Sequence, residues 1–215
     1  MSWRTGYRRR MRAWGEALWV GRWVESLLPG VVRRVLEGGE PQPGWIPRRV
    51  LAVISADIDN TAGVGAVWIV WHPKSSRARE HTALLEWYDE QWRYVGGGSG
   101  PVDDPADVDV IEVRGGGGAL SLTRSLDPPH SFATAPWISC AAVHLGRDVG
   151  HILIGNRRIA APEERKLVAA WTSQQVNRGA RPVIVAFGRD GTELSRIGPH
   201  DSLDTHTWAR LREEM

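Results

Sequence analysis

Short apolar segments separated by turn sequences fill the chain from residue 45 to residue 200. Val64–Trp71 is apolar at almost every position, as a strand covered on both faces should be. Asp190-Gly191, between Val183–Phe187 and Glu193–Ile197, is the preferred signal of a two-residue hairpin turn. Turn signals recur about every 8–12 residues, and no helical crossover separates the segments. The pattern predicts a mainly β fold, an antiparallel β-sandwich of about ten to twelve short strands.

Two glycine-rich runs lie between predicted strands, at residues 96–101 and 115–118. Neither matches a phosphate-binding loop, because no Lys-Ser/Thr pair and no opening helix follow the glycines. Glycine clusters of this kind are typical of turns. We therefore expect a loop at 96–101, after a hairpin of Thr82–Tyr88 and Gln91–Val95, and a turn at 115–118.

The N-terminal segment differs from the rest of the chain in charge and in periodicity. Residues 1–37 contain eight arginines and three glutamates, so the remainder of the chain is net acidic although the whole carries +2. Apolar residues recur about every four positions from Trp19 to Leu36, which indicates helix. Because proline cannot continue a regular helix, we expect two helices, over 7–28 and 30–37, with a break before Pro29.

These patterns divide the chain into four parts. The segment Gly-Gly-Glu-Pro-Gln-Pro-Gly at 38–44 has the composition of a linker. The expected organisation is a helical arm (1–37), this linker (38–44), a β-sandwich domain (45–200) and a short C-terminal helix or tail (201–215).

The tryptophans and arginines of the arm suggest a contact surface. An aromatic helix face buries well against a partner, and arginines at its rim add charge-assisted contacts. We therefore expect a non-catalytic protein-interaction or assembly module that binds a protein partner or a second copy of itself. A membrane surface is the next expectation, and nucleic acid is disfavoured because the body is acidic. The alternative is that the arm packs on its own β body. The expected partner-binding residues are Trp3, Arg8, Arg9, Arg12, Trp14, Trp19 and Trp23.

A second hypothesis is a metal-binding protein or an enzyme that uses a hairpin at 138–154. A turn at Arg147-Asp148 would pair His144 directly with His151 across the hairpin. Opposed imidazoles, about 5 Å apart between their Cβ atoms, can share a zinc or copper ion. This hypothesis therefore names His144 and His151 as metal ligands.

Two further groups of residues are weaker candidates. Cys140 lies on the same strand face as His144 but about 13 Å from it, and its apolar neighbours indicate a buried side chain rather than a reactive thiolate. Asp57 and Asp59 end an early strand, but the glycine and glutamate of a calcium-binding EF-hand loop do not follow them. We expect no catalytic residue and no cofactor in the interaction module.

Two hairpin regions, 84–100 and 183–197, carry a resemblance. Within them, Trp92–Gly100 and Val183–Leu194 resemble segments of small, uncharacterised β-rich proteins of actinobacteria. The resemblance implies a bacterial β protein and brings no activity with it. A cytoplasmic location is expected because the single cysteine, Cys140, needs no oxidising compartment and no run of about 20 apolar residues is present.

Overall fold

The computed structural model describes residues 26–102, 108–125, 134–174, 177–178 and 180–215. Within these residues the chain is mainly β, with eleven strands in three antiparallel sheets. The predicted mainly β class, the antiparallel pairing and the number of strands are therefore confirmed.

Sheet A is a meander of four strands in the order β1-β2-β3-β4. The predicted hairpin between the third and fourth strands is confirmed, and its turn residues Asp89 and Glu90 both have positive φ (53° and 58°). Positive φ at both central positions is the geometry that matches the twist of paired strands. The strands are β1 (Leu51–Asp59), β2 (Val64–Trp71), β3 (Arg79–Tyr88) and β4 (Gln91–Pro101).

The remaining strands form sheet B, in the order β5-β6-β9, and sheet C, in the order β11-β10-β7-β8. A short 3-10 helix, Leu122–Ser125, follows β5. Sheet B consists of β5 (Ile111–Leu120), β6 (Trp137–Leu145) and β9 (Lys166–Ser173). Sheet C consists of β7 (Val149–Ile154), β8 (Arg157–Ala160), β10 (Ile184–Gly188) and β11 (Glu193–Ile197).

The two glycine runs are strands, so the predicted loop and turn are wrong. Glycines 96–98 belong to β4 and pair with β3, and glycines 116–118 belong to β5 and pair with β6. A Cβ atom at Gly97 would lie 2.9 Å from Cε1 of His81, and one at Gly116 would lie 2.7 Å from the Cys140 carbonyl oxygen. Glycine is needed at these positions because a neighbouring strand approaches too closely for a side chain.

The helix that precedes sheet A, α1, is continuous over residues 26–36. The predicted break before Pro29 is therefore wrong. Proline inside a helix costs about 3 kcal/mol, but burying one Leu or Val side chain contributes about 1.5–3 kcal/mol. The packing of α1 on sheet A offsets the cost through four buried side chains: Leu27, Leu28, Val31 and Val32.

Strand β6 has both of its faces buried. Ile138, Cys140 and Ala142 share a cluster with residues of sheet A, including Trp68 and Leu84. The alternate residues of β6, which include Val143 and Leu145, share a second cluster with residues of sheet C. This double burial explains why β6 is an almost uninterrupted apolar run.

The predicted C-terminal helix is confirmed as α2 (Thr205–Glu214). Asp204 is its N-cap and is only 3% exposed. Its carboxylate accepts hydrogen bonds from the backbone N–H groups of His206 (2.9 Å) and Thr207 (3.2 Å) and from the hydroxyl groups of Thr207 (2.7 Å) and Ser195. Since Ser195 belongs to β11, this carboxylate fastens α2 to sheet C.

The Asp204 cap makes the attachment of α2 dependent on pH. Burial acts to raise the pKa of Asp204, but the hydrogen bonds from Ser195, Thr207 and His206 outweigh it and hold the pKa below its ordinary value. Its contribution to stability is therefore present above the unfolded pKa of about 3.9 and is lost as pH falls through the lower, folded value. We expect Asp204→Ala to cost about 0.5–2 kcal/mol at neutral pH and to weaken the acid dependence of unfolding.

Denaturant unfolding between acid and neutral pH checks this expectation. Glu213→Gln removes an exposed carboxylate from the same helix and is the matched control. Equal losses of stability in the two variants would contradict the role given to Asp204.

Candidate binding site

The expected partner-binding residues of the arm, between Trp3 and Trp23, lie outside the described residues. The described end of the arm, α1, buries one side on sheet A and exposes Arg33 and Arg34 on the other. For residues 26–36, the alternative prediction, that the arm packs on the β domain of its own chain, is therefore confirmed. Next to the exposed side lies Trp45, which is 68% exposed. Together these residues line an open hollow of about 500 Å³.

The segment predicted as a linker, 38–44, is fastened to the body through Gln42. The Gln42 side chain is buried, and its amide nitrogen donates to the carbonyl oxygens of Ile46 (2.9 Å) and Leu51 (3.2 Å). Its amide oxygen accepts a hydrogen bond from the backbone N–H of Val53 at 2.9 Å. These bonds hold the chain around Trp45 beside sheet A.

His144 and His151 do not pair across a hairpin, so that prediction is wrong. His144 lies in β6 of sheet B, where its strand neighbours are Glu112 and Lys166, and its ring is 5.5 Å from that of Trp68. His151 lies in β7 of sheet C and stacks on Phe187 with 5.0 Å between ring centroids. The chain leaves one sheet and enters another between the two histidines, which separates the proposed ligands.

No group of three or more His, Cys, Asp or Glu side chains that could hold a metal ion occurs among the described residues. Cys140 is 2% exposed, and burial raises the pKa of its thiol to about 11 despite a hydrogen bond with the backbone of Gly117. A thiol with that pKa stays protonated at neutral pH and is a poor nucleophile. The interpretation of Cys140 as a buried apolar side chain is thus confirmed.

Asp57 and Asp59 surround a guanidinium group rather than a vacant cation position. Both Oδ atoms of Asp57 accept from Nη1 of Arg157, at 2.9 and 3.0 Å, and Oδ2 of Asp59 is 3.3 Å from its Nε. The Arg157 side chain is 21% exposed and that of Asp57 10%. Arg157 lies in β8 of sheet C and both aspartates lie in β1 of sheet A, so the cluster joins two sheets.

The cluster of Asp57, Asp59 and Arg157 also covers strand β9, the outer edge of sheet B. Asp57 accepts a hydrogen bond from the backbone N–H of Ala170 at 2.8 Å, and Arg157 donates to the Ala170 carbonyl oxygen. Two residues earlier, the hydroxyl of Ser55 accepts from the backbone N–H of Val168 at 3.1 Å. Side chains thereby satisfy backbone groups that an edge strand would otherwise leave open for pairing. We assign Arg157, Asp57 and Asp59 to stability rather than to ligand binding.

A hollow of about 450 Å³ lies on the face of sheet B near the glycine run of β5. Gly116 and Gly118, opposite Ala141 and Ser139, contribute backbone but no side chain to it. We call it the glycine hollow and define it by Gly116, Gly118, Trp137, Trp171, Arg178 and Arg181.

Aromatic and cationic side chains form the walls of the glycine hollow. The guanidinium carbon of Arg178 lies 4.1 Å from the ring centroid of Trp137, which is a close cation–π contact. The indole nitrogen of Trp171 donates to the carbonyl oxygen of Ala180 at 3.3 Å. Nη2 of Arg181 donates to the carbonyl oxygens of Gly198 (2.7 Å) and Asp201 (2.9 Å). The hollow is therefore built from three separate parts of the chain.

The sequence analysis did not find this hollow. Its one local signal is the run of four glycines at 115–118, which also fits a turn. The residues of the walls are separated in sequence, and strand pairing brings them together.

Comparison of the chain with protein-family models, with curated proteins and with solved structures finds no match. In the described part of the chain, no helix is long and apolar enough to cross a membrane.

Proposed function

We propose that this protein is a non-catalytic interaction or assembly module that docks through its N-terminal aromatic and basic segment onto a second copy of the chain. The observation that carries the proposal is the anchoring of α1. Four side chains of α1 are buried on sheet A, and the Trp- and Arg-rich residues precede this helix directly. The segment is thus attached to a fixed point on the body.

The surface around that point favours docking. Trp45 and Leu36 are 68% and 43% exposed, although large apolar side chains are usually buried. Arg33 and Arg34 are exposed beside them. Exposed aromatic and arginine side chains in one place are typical of the residues that contribute most to protein interfaces.

Charge favours a second copy of the chain as the partner. Residues 1–37 have five more arginines than glutamates, whereas residues 38–215 have three more acidic than basic side chains. A basic segment on one copy therefore has an acidic body to approach on another, and such complementarity selects partners and orientations. The lone Cys140 supports a cytoplasmic location, because the chain needs no oxidising compartment.

We also infer that sheets A and B face each other as a β-sandwich, with sheet C on the other face of sheet B. The packing of sheet A on sheet B is supported by the buried cluster that contains Trp68, Leu84 and Ile138. The packing of sheet C on sheet B is supported by the cluster that contains Val143, Leu167 and Ile152. A rigid stack of this kind is a suitable platform for a docking segment.

Light scattering of the full-length protein over a range of concentrations tests the proposal. We expect a dimer or larger oligomer that dissociates on dilution and at high salt, because salt screens exposed charges. The triple variant Arg8→Gln, Arg9→Gln, Arg12→Gln should weaken association by about tenfold or more. The matched control replaces three exposed arginines of the body and of α2: Arg77→Gln, Arg189→Gln, Arg212→Gln.

Three outcomes would overturn the proposal. The first is a monomer at every concentration, and the second is equal weakening in the arm variant and the control. The third is a monomer that binds anionic vesicles or nucleic acid through the arm, which would assign the segment to a membrane or to nucleic acid. Circular dichroism of each variant shows whether a change in association comes from unfolding.

A further inference from the structure

The glycine hollow is an open depression with the volume of a small-molecule site. Its volume of about 450 Å³ falls within the range of about 300–1,000 Å³ that ligand pockets occupy. Gly116 and Gly118 are exposed, so at these positions β5 contributes backbone and no side chain to the wall of the hollow. A wall without side chains suits a planar ligand.

Trp137 is held in place by the absence of a side chain at residue 118. A Cβ atom at Gly118 would lie 2.8 Å from Cε2 of Trp137 and would overlap the indole. The guanidinium of Arg178 stacks on the same indole, at 4.1 Å from the ring centroid. Glycine, indole and guanidinium thus lie in direct contact, which orients the positive charge of Arg178 at the hollow.

The electrostatics of the hollow favour an anion. Arg178 has no carboxylate partner among the described residues, and none of the residues that line the hollow is acidic. Nε of Arg181 is buried and has no hydrogen-bond partner within the described chain. Burial also lowers the pKa of Arg181, against the opposing effect of Asp201. Two guanidinium groups whose N–H donors are not all used within the described chain are suited to bind a carboxylate.

We propose that the glycine hollow binds a planar organic anion, whose ring lies on the exposed glycine backbone beside the edge of the Trp137 indole and whose carboxylate meets the guanidinium of Arg178. Arg181 adds positive charge on the same side. Arg178 is exposed, so its guanidinium is accessible to the ligand, and Trp137 is held by the strand to which it belongs. None of the described residues of the N-terminal arm lines the hollow.

Calorimetric titration of the full-length protein with naphthoate tests the proposal. Naphthamide is the neutral probe of the same shape, and inorganic phosphate is the anion without a ring. We expect naphthoate to bind at one site per chain and about tenfold or more tightly than either comparison probe. Arg178→Gln should weaken naphthoate by a similar factor and leave naphthamide unchanged, because only the carboxylate uses the charge.

The control Arg189→Gln removes an exposed arginine from the β10–β11 turn, outside the hollow, and should leave naphthoate binding unchanged. Trp137→Phe should weaken both aromatic probes, since a smaller ring provides less contact surface at the wall of the hollow. The proposal is overturned by the absence of naphthoate binding at millimolar concentration. Equal affinity for naphthoate and naphthamide would also overturn it, as would equal effects of Arg178→Gln and Arg189→Gln.

Discussion

Replacing Arg157 with methionine is expected to lower the free energy of unfolding by about 3–5 kcal/mol, the usual cost of removing one partner from a buried ion pair. The substitution leaves Asp57 and Asp59 facing each other with their side chains only 10% and 20% exposed. It also removes the donor to the Ala170 carbonyl oxygen. The connection between sheets A and C should weaken as a result.

Denaturant unfolding of Arg157→Met beside Arg158→Met measures this effect. Arg158 is the exposed neighbour in the same strand, and its loss should cost less than about 0.5 kcal/mol. Adding Asp57→Asn and Asp59→Asn to Arg157→Met should restore part of the stability, because no uncompensated charge then remains. A cost for Arg157→Met no larger than that for Arg158→Met would show that the cluster does not join the sheets.

The pH dependence of Arg157→Met gives an independent check. Burial already raises the pKa of Asp57, against the lowering effects of the Ala170 N–H group and of Arg157. Without Arg157 the folded pKa should rise further above the unfolded value. A group with a raised folded pKa favours the folded state at low pH and loses that contribution as pH rises through the folded pKa. The deficit of Arg157→Met should therefore become smaller toward acid pH.

Truncating Leu28 to alanine is expected to cost about 2–5 kcal/mol, the range for a fully buried leucine. Leu28 is 0% exposed in the cluster that α1 shares with sheet A, where Leu51 and Ile69 are equally buried. Thermal or denaturant unfolding measures the change. Leu36→Ala, in the same helix at a side chain that is 43% exposed, is the matched control and should cost less than about 1 kcal/mol.

The comparison of Leu28→Ala with the arm variants separates the two roles of the N-terminal region. Leu28→Ala should change stability, whereas the substitutions at Arg8, Arg9 and Arg12 should change association and leave stability nearly unchanged. A loss of stability in Leu28→Ala no larger than in Leu36→Ala would mean that α1 does not contribute to the core.

Local patterns predicted much of the secondary structure. The apolar run Val64–Trp71 is a strand with the predicted bounds. The hairpin predicted at Asp190-Gly191 connects β10 to β11, with Gly191 at a φ of 84°. Its loop has four residues, 189–192, and not the predicted two, and Asp190 lacks the positive φ of a two-residue turn. These features depend on residues close together in the chain, and a single sequence contains that information.

The candidate site could not be predicted in the same way. The glycine run at 115–118 fits a turn when it is considered alone, but it belongs to β5 because β5 pairs with β6. Residues of β6 leave no room for a side chain at Gly116 and Gly118. Trp137 lies against Gly118, and Arg178 stacks on Trp137, only after β5, β6 and β9 have paired. Contacts between residues so far apart leave no periodic pattern in the sequence.

The amino-acid sequence by itself determined that the chain is mainly β, where most strands and turns lie, and that its positive charge is concentrated before residue 38. Only the tertiary structure decided which strands share a sheet, and this placed His144 and His151 in different sheets. The tertiary structure also decided that Arg157 meets Asp57, a hundred residues away. Turns and strands follow from local backbone preferences, whereas sheet order and ion pairing follow from which distant surfaces bury each other.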